Sequence, residues 1–136
     1  MFTTVKARTN KLGTKFPYEG FVQAAIEAHF SKLGFTFDTQ THADLMCAHS
    51  ESGERWLVEA KGVTSSLGLD FRTGLGQLLS RMTDGSVKYG LAVPEVERFL
   101  NQCRPVSKWT RERLGLHWLI ISQDGSVRIV APDESL

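Results

Sequence analysis

The sequence HADLMCAHSESGERWLVEAK, residues 42–61, determines the fold expected for this chain. It contains two short apolar segments, Ala43–Ala48 and Arg55–Lys61, and between them the polar segment Ser50–Glu54. Short apolar segments that flank a cluster of Ser, Gly and Glu are typical of two strands joined by a turn. We therefore expect a β-hairpin, and we infer the other elements outward from it.

The register of this hairpin brings polar side chains together at its open end. If the chain folds about Ser52, paired residues have numbers that sum to about 104, so Asp44 lies beside Glu59 and Lys61. Side chains alternate along a strand, so Glu59 and Lys61 share one face. Two carboxylates and an ammonium group favour a divalent-metal site. Two other interpretations stay open: a strand-edge aspartate near a solvated pair, or a register shifted by one residue, which would turn Asp44 to the opposite face.

The composition is that of an ordinary globular protein. The chain has 136 residues, of which 41% are hydrophobic and 23% charged, and this predicts a single domain over residues 1–136. No apolar run approaches the roughly 18 residues of a membrane helix, and the N-terminal sequence lacks the apolar stretch of a signal peptide. Cys47 and Cys103 are too few and too distant to suggest a disulfide framework, which predicts reduced thiols and a cytoplasmic location.

Positive charge is concentrated in two segments. Residues 1–18 carry four basic and no acidic side chains, and residues 98–113 carry five basic and one acidic. Because the net charge is only +1, the remainder, which includes the hairpin, is acidic. An acidic centre between basic segments suits DNA as a partner, although basic segments also serve solubility. We expect residues 1–17 to form a basic, mobile arm. The candidate nucleic-acid-binding residues are Lys11, Lys15, Arg104, Lys108 and Arg111.

The remaining elements are predicted from periodicity and turn residues. The second helix is expected to pack through Leu75, Leu78, Leu79 and Met82, and Gly62–Gly68 before it is expected to be a loop. In chain order we expect a helix from Tyr18 to Gly34, a strand over 35–40, the hairpin, a helix over about 70–82, a strand over 89–93, helices over 94–103 and 107–114, and strands over 117–122 and 127–130.

The first helix contains a candidate acidic ligand. At 100° per residue, Glu19 lies in the same sector as the apolar residues Val22, Ile26 and Leu33. Glu27 lies about 80° from Glu19 and is expected to fall off this stripe. We therefore predict that Glu19 faces the sheet and that Glu27 does not. Glu19 can also be a simple helix-dipole partner in the first turn.

The order of elements and the hairpin acids resemble those of the PD-(D/E)xK, or restriction-endonuclease-like, nuclease superfamily. The resemblance covers roughly residues 19–93 and depends on an acid in the first helix, Asp44, and the Glu59-Ala60-Lys61 segment. Ala43 stands where the family often has proline. Gln77 in the second helix matches a glutamine that some branches use, and it can equally be a surface residue.

The resemblance implies an α/β fold with an αβββαβ core, in which helices flank a mixed central sheet, and here a C-terminal β-hairpin appendage would follow. It implies a metal-dependent DNA endonuclease that uses Mg²⁺ or Mn²⁺. Asp44, Glu59, the Ala60 carbonyl and Glu19 would bind metal, and Lys61 and Gln77 would complete the catalytic set. The alternative is a catalytically silent nucleic-acid-binding or assembly subunit. A homodimer or a place in a larger nucleic-acid-processing complex is compatible with either function.

Overall fold

A computed structural model describes residues 13–136, which form four helices and six strands. The helices are α1 (Glu19–Lys32), α2 (Leu67–Ser80), α3 (Glu97–Cys103) and α4 (Lys108–Leu114). The strands are β1 (Phe35–Phe37), β2 (Leu45–His49), β3 (Arg55–Ala60), β4 (Lys88–Pro94), β5 (Leu116–Ile121) and β6 (Val127–Val130).

The six strands form one mixed sheet in the order β1-β2-β3-β4-β5-β6. The pairs β1–β2, β2–β3 and β5–β6 are antiparallel, whereas β3–β4 and β4–β5 are parallel. The predicted α/β class with a mixed sheet is therefore confirmed. The C-terminal hairpin, however, is not an appendage. Its strand β5 continues the central sheet beside β4, because its apolar residues alternate between both faces and both faces are covered by the protein.

Helices cover both faces of the sheet. Helix α1 packs on one face through Val22, Ile26 and Phe30, against strand residues that include Trp56 and Val58. Helices α2 and α3 pack on the other face, in a second apolar cluster built around Trp118 of β5. Since β3 supplies residues to both clusters, its C-terminal end lies between two layers of helices. This position shields one end of the hairpin from solvent.

Helix α2 differs from its prediction in both start and phase. It begins at Leu67 and not at about Asp70, so the predicted loop ends at Ser66. Its buried residues are Leu67, Phe71, Gly74 and Leu78, whereas Leu79 is 49% exposed. Apolar residues of this segment lie along two overlapping faces of the helix, one with Leu75 and Leu79 and one with Phe71 and Leu78. The face with Phe71 packs on the sheet, where the Phe71 ring contacts Trp118.

The segment before α1 contacts the rest of the protein. The Pro17 carbonyl accepts a hydrogen bond from the Val63 N–H, and the Phe16 ring packs edge-on against Phe21. The remainder of the predicted arm, residues 1–12, lies outside the described residues, so its mobility stays a prediction. Lys11 lies outside the described residues. Cys47 and Cys103 are both free and buried. In residues 13–136 no helix is long and apolar enough to cross a membrane.

Candidate active site

The hairpin register places Asp44 opposite Glu59. Leu45 pairs with Val58 and Met46 with Leu57, so paired numbers sum to 103 and the register is shifted by one residue from the predicted sum of 104. This shift places Asp44 on the face of Glu59, whereas the predicted sum would have paired Asp44 with Ala60 on the opposite face. Asp44 is the next residue before β2, and its Oδ2 accepts a hydrogen bond of 2.8 Å from the N–H of Ala60. A carboxylate here takes the place of a strand carbonyl and extends the pairing beyond the end of β2. The predicted convergence of Asp44 with the Glu59–Lys61 segment is confirmed.

Glu59 is a buried acid beside a second acid. Its side chain is 4% exposed, and the hairpin register places Asp44 opposite it. Burial and then the neighbouring Asp44 carboxylate raise the pKa of Glu59 to about 7, against smaller opposing effects of Arg81 and Lys61. Arg81, which follows α2, approaches Glu59, with Nη1 at 3.3 Å from Oε2. The site therefore contains a buried carboxyl group next to a second one, which is unusual for the surface of a strand.

The strand geometry of β3 determines where the backbone groups of Ala60 and Lys61 point. The Lys61 N–H donates to Ala92 of β4, so the N–H and C=O of Ala60 point the other way, toward Asp44. The side chain of Lys61 runs along α2, where its Cγ and Cε lie 3.1 Å from the position that a β-carbon on Gly74 would occupy. Helix α2 thus holds the stem of Lys61 on the face that Glu59 also occupies.

The donor set at this end of the hairpin fits a hard divalent cation. Glu59 Oε2 is buried and has no hydrogen-bond partner within the described part of the chain. The Asp44 carboxylate adjoins it, and the Ala60 carbonyl lies on the edge of β3 that faces Asp44. Carboxylate and carbonyl oxygens are the ligands that Mg²⁺ and Mn²⁺ prefer. A cation would also offset the repulsion between the two acids, so the residues fit such an ion.

Glu19 is close to this region without completing a three-acid group. Gly62, directly after Lys61, packs so tightly on the first turn of α1 that a β-carbon there would meet the Glu19 nitrogen. The side chain of Glu19 is partly buried. Nevertheless, no cluster of three or more His, Cys, Asp and Glu side chains suited to a metal occurs in residues 13–136. Its role as a metal ligand stays a prediction.

The prediction that Glu27 faces away from the sheet is wrong. Glu27 and Gln23 are both fully buried, and Gln23 Nε2 donates to Glu27 Oε2 at 2.9 Å and to the Asp44 carbonyl at 2.8 Å. The buried face of α1 is broad, because Ala25 on one side and Glu27 on the other are both covered, so an acid about 80° from Glu19 still lies within it. Gln23 therefore positions Asp44, a role that the sequence analysis missed. The one signal in the sequence was its spacing of four residues from both Glu19 and Glu27, which puts the three side chains near one another on α1.

Arg81, the residue directly after α2, is a second residue of the site that the sequence did not reveal. The predicted catalytic residue Gln77 is exposed, and its carbonyl accepts a hydrogen bond from Arg81 Nη1 at 3.1 Å. Arg81 Nη2 also approaches the His42 carbonyl at 3.4 Å. Spacing offered one signal for Arg81, since it lies one helical turn beyond Gln77.

The predicted nucleic-acid-binding residues differ in exposure to solvent. Lys15, Arg104 and Lys108 are exposed, and Arg104 pairs with Glu97 at 2.8 Å. Arg111 is 3% exposed, so its assignment as a nucleic-acid-binding residue is wrong. Its guanidinium donates to the Ala131 and Glu134 carbonyls and packs near the Trp118 ring, which fixes the C-terminal segment to α4.

Comparison with solved structures gives a match in overall fold. The chain is similar in fold to an XisH family protein. The crystal structure of that protein, from Nostoc punctiforme, superposes with a TM-score of 0.57 at 18% sequence identity, over 79% of this chain and 95% of the other. At this identity the likeness to the XisH protein concerns the α/β fold with its mixed sheet. No family model matches the chain, and no curated protein does.

Proposed function

We propose that this protein has a restriction-endonuclease-like core and is a metal-dependent endonuclease that hydrolyses phosphodiester bonds in DNA. The observation that carries the proposal is that the register places Asp44 opposite the buried Glu59 at the open end of the hairpin, with Lys61 on the Glu59 face. A fold alone has no need of two adjoining acids at a buried position, because their repulsion and desolvation destabilise it. Mg²⁺ or Mn²⁺ binding would remove that cost.

Each residue of the site has a defined task in this proposal. Asp44, Glu59 and the Ala60 carbonyl would hold the ion, which supplies Lewis-acid activation of water and neutralises charge on the phosphate. Asp44 is oriented from both sides, by the Ala60 N–H at its carboxylate and by Gln23 at its carbonyl. The Lys61 ammonium orients the attacking water and stabilises the negative charge that develops on the phosphate. Glu19 and Gln77 are candidates for further contacts with the substrate at this site.

The second candidate is a silent nuclease-fold module that binds nucleic acid or assembles with a larger complex. The ion pair between Arg81 and Glu59 favours it, since a permanent arginine could replace the metal as the counter-ion. In that case Lys61 would have no water to orient. Under either proposal the protein could act as a homodimer or beside a partner subunit.

Cleavage of a panel of DNAs separates the two candidates. Linear, circular, branched and single-stranded DNAs are incubated with the protein in Mg²⁺, in Mn²⁺ and in EDTA. The nuclease proposal predicts that at least one DNA is cut in metal and none in EDTA, and that Asp44→Asn, purified identically, cuts none. Binding of these DNAs without cleavage of any would favour the silent module.

A further inference from the structure

Arg81 is placed to act on the site, yet its attachment there is weak. It follows the last residue of α2, and its side chain turns back along the helix to the Gln77 carbonyl. Its other contacts are Glu59 Oε2 at 3.3 Å and the His42 carbonyl at 3.4 Å. The Glu59 contact lacks hydrogen-bond geometry, since that oxygen has no hydrogen-bond partner among the described residues. The side chain remains 28% exposed, so it has a path to solvent.

The charges of the site create a competition for one oxygen. Asp44, Glu59, Lys61 and Arg81 bring two acidic and two basic groups together. The oxygen that Arg81 approaches, Glu59 Oε2, is also the carboxylate oxygen that no hydrogen bond occupies. A divalent cation at Glu59 and the Arg81 guanidinium would repel each other, because they carry like charge and face the same oxygen. Binding of the cation would therefore weaken the contact between Arg81 and Glu59.

Once released from Glu59, the Arg81 guanidinium would be free to bind a phosphate group of the DNA. The guanidinium has five N–H donors in a planar fork that matches two oxygens of one phosphate. Arg81 is tethered at the end of α2 beside Glu59 and is partly exposed, so a phosphate held at Asp44 and Glu59 would lie within its reach. We propose that Arg81 is an exchangeable counter-ion, which neutralises Glu59 in the metal-free protein and binds the non-bridging oxygens of the scissile phosphate once a divalent cation has replaced it. This inference depends on the proposed nuclease function.

Metal affinity is the first test, because it needs no catalysis. Mn²⁺ binding is measured by calorimetry for the wild type, Arg81→Gln, Arg81→Lys and the control Arg72→Gln. The control removes the same charge from an exposed position on the same helix. Loss of the competing cation should tighten Mn²⁺ binding by roughly tenfold in Arg81→Gln, the size of a close charge effect on an ion-binding equilibrium. Arg81→Lys and Arg72→Gln should remain near the wild type.

DNA affinity is the second test and should change in the opposite direction. In Ca²⁺, which is used to load the site without cleavage, Arg81→Gln should bind DNA several-fold more weakly than the wild type. In EDTA the two should bind alike, since Arg81 is then held by Glu59. Arg81→Lys should recover only part of the Ca²⁺-dependent affinity, because an ammonium group cannot form the two parallel hydrogen bonds that a guanidinium makes to two phosphate oxygens. A purely structural Arg81 would not produce tighter metal binding together with weaker DNA binding.

The outcomes separate this inference from the proposed function. If the wild type binds Mn²⁺ and cuts DNA while Arg81→Gln has unchanged or weaker Mn²⁺ binding, the exchange is refuted and the nuclease proposal stands. If the wild type binds no divalent cation and cuts no DNA, both are refuted. Thermal melts in EDTA check the folding of each variant. Should Arg81→Gln not fold, Arg81→Lys decides alone, and Ca²⁺-dependent DNA affinity equal to that of the wild type would refute the exchange.

Discussion

The carboxyl group of Glu59 lies inside the protein beside a second carboxyl group, so its ionisation is costly. Burial disfavours the charged form, and the Asp44 carboxylate disfavours it further, which together raise the pKa of Glu59 to about 7. In the unfolded chain the same group would ionise near its ordinary pKa of 4.5. Between these two values the folded protein holds a proton that the unfolded chain releases.

This difference predicts a pH-dependent stability in EDTA. Because the folded state binds more protons than the unfolded state, the free energy of unfolding falls as pH rises from about 4.5 to about 7. The full effect is on the order of 2–3 kcal/mol, from about 1.4 kcal/mol per pKa unit with an allowance for solvent. Glu59→Gln should flatten this part of the curve, measured by urea unfolding at several pH values. Glu51→Gln, at an exposed turn position, should leave the curve unchanged.

An equal slope in the wild type and Glu59→Gln would contradict the burial of an ionisable pair. Addition of Mg²⁺ should reduce the slope of the wild type, since a bound cation would favour the ionised acids in the folded state.

At the scale of elements, α2 determines where Lys61 can lie. Gly74 gives Lys61 its room, because a β-carbon there would come within 3.1 Å of both the Lys61 stem and Leu91. Gly76, two residues later on the exposed side of the same helix, has no atom within 4 Å of its β-carbon position. The two glycines therefore form a matched pair that differs only in what surrounds them.

Substitution of these glycines should separate activity from stability. Gly74→Val should displace Lys61 and lower the DNA cleavage rate by an order of magnitude or more, because the misplacement of one catalytic group can cost about 10²-fold. Gly76→Ala should stabilise the protein by about 0.5–1 kcal/mol through helix propensity, with no change in rate. Initial cleavage rates and thermal melts measure both effects. A normal rate in folded Gly74→Val would show that the helix does not position Lys61.

The hairpin and the meeting of Asp44 with residues 59–61 were predictable from the sequence, whereas the exact register and the buried faces of the helices were not. The pairing of Asp44 with Glu59 depends on a short turn and the two-residue period of strands, which are local properties. The burial of Glu27 and Gln23, by contrast, depends on which side of α1 the sheet covers. The same reason explains Arg111, whose partners lie 20 and 23 residues away, and Arg81, whose contact with Glu59 joins different elements. Contacts between distant segments leave no periodic signal.

At the scale of the whole molecule, charge and burial assign different tasks to the basic residues. Arg104 and Lys108 are exposed near the junction of α3 and α4, whereas Arg111 is an internal brace. Only exposed cations can release counter-ions from DNA. The basic segment therefore contains candidates for DNA contact and a residue that holds the fold.

Salt dependence of DNA binding tests this division. Replacement of Arg104 and Lys108 by Ala should weaken binding and reduce the slope of log K against log salt by up to about 1.8, at about 0.9 for each phosphate contact. Arg111→Ala should instead lower the free energy of unfolding by roughly 2–4 kcal/mol, because it removes a buried, charged donor from two carbonyls. An unchanged salt slope in the double variant would place DNA on another surface.

The central claim is that the Asp44, Glu59 and Lys61 cluster performs metal-dependent cleavage. The most direct test is the initial rate of DNA cleavage in Mg²⁺ for Asp44→Ala and Lys61→Ala, beside Asp133→Ala and Lys32→Ala, which remove the same groups from exposed positions. The account predicts a loss of at least about 10²-fold in the first two, as expected when a metal ligand or a transition-state contact is removed, and near-wild-type rates in the controls. Wild-type rates in Asp44→Ala and Lys61→Ala, with thermal melts that show both to be folded, would contradict it.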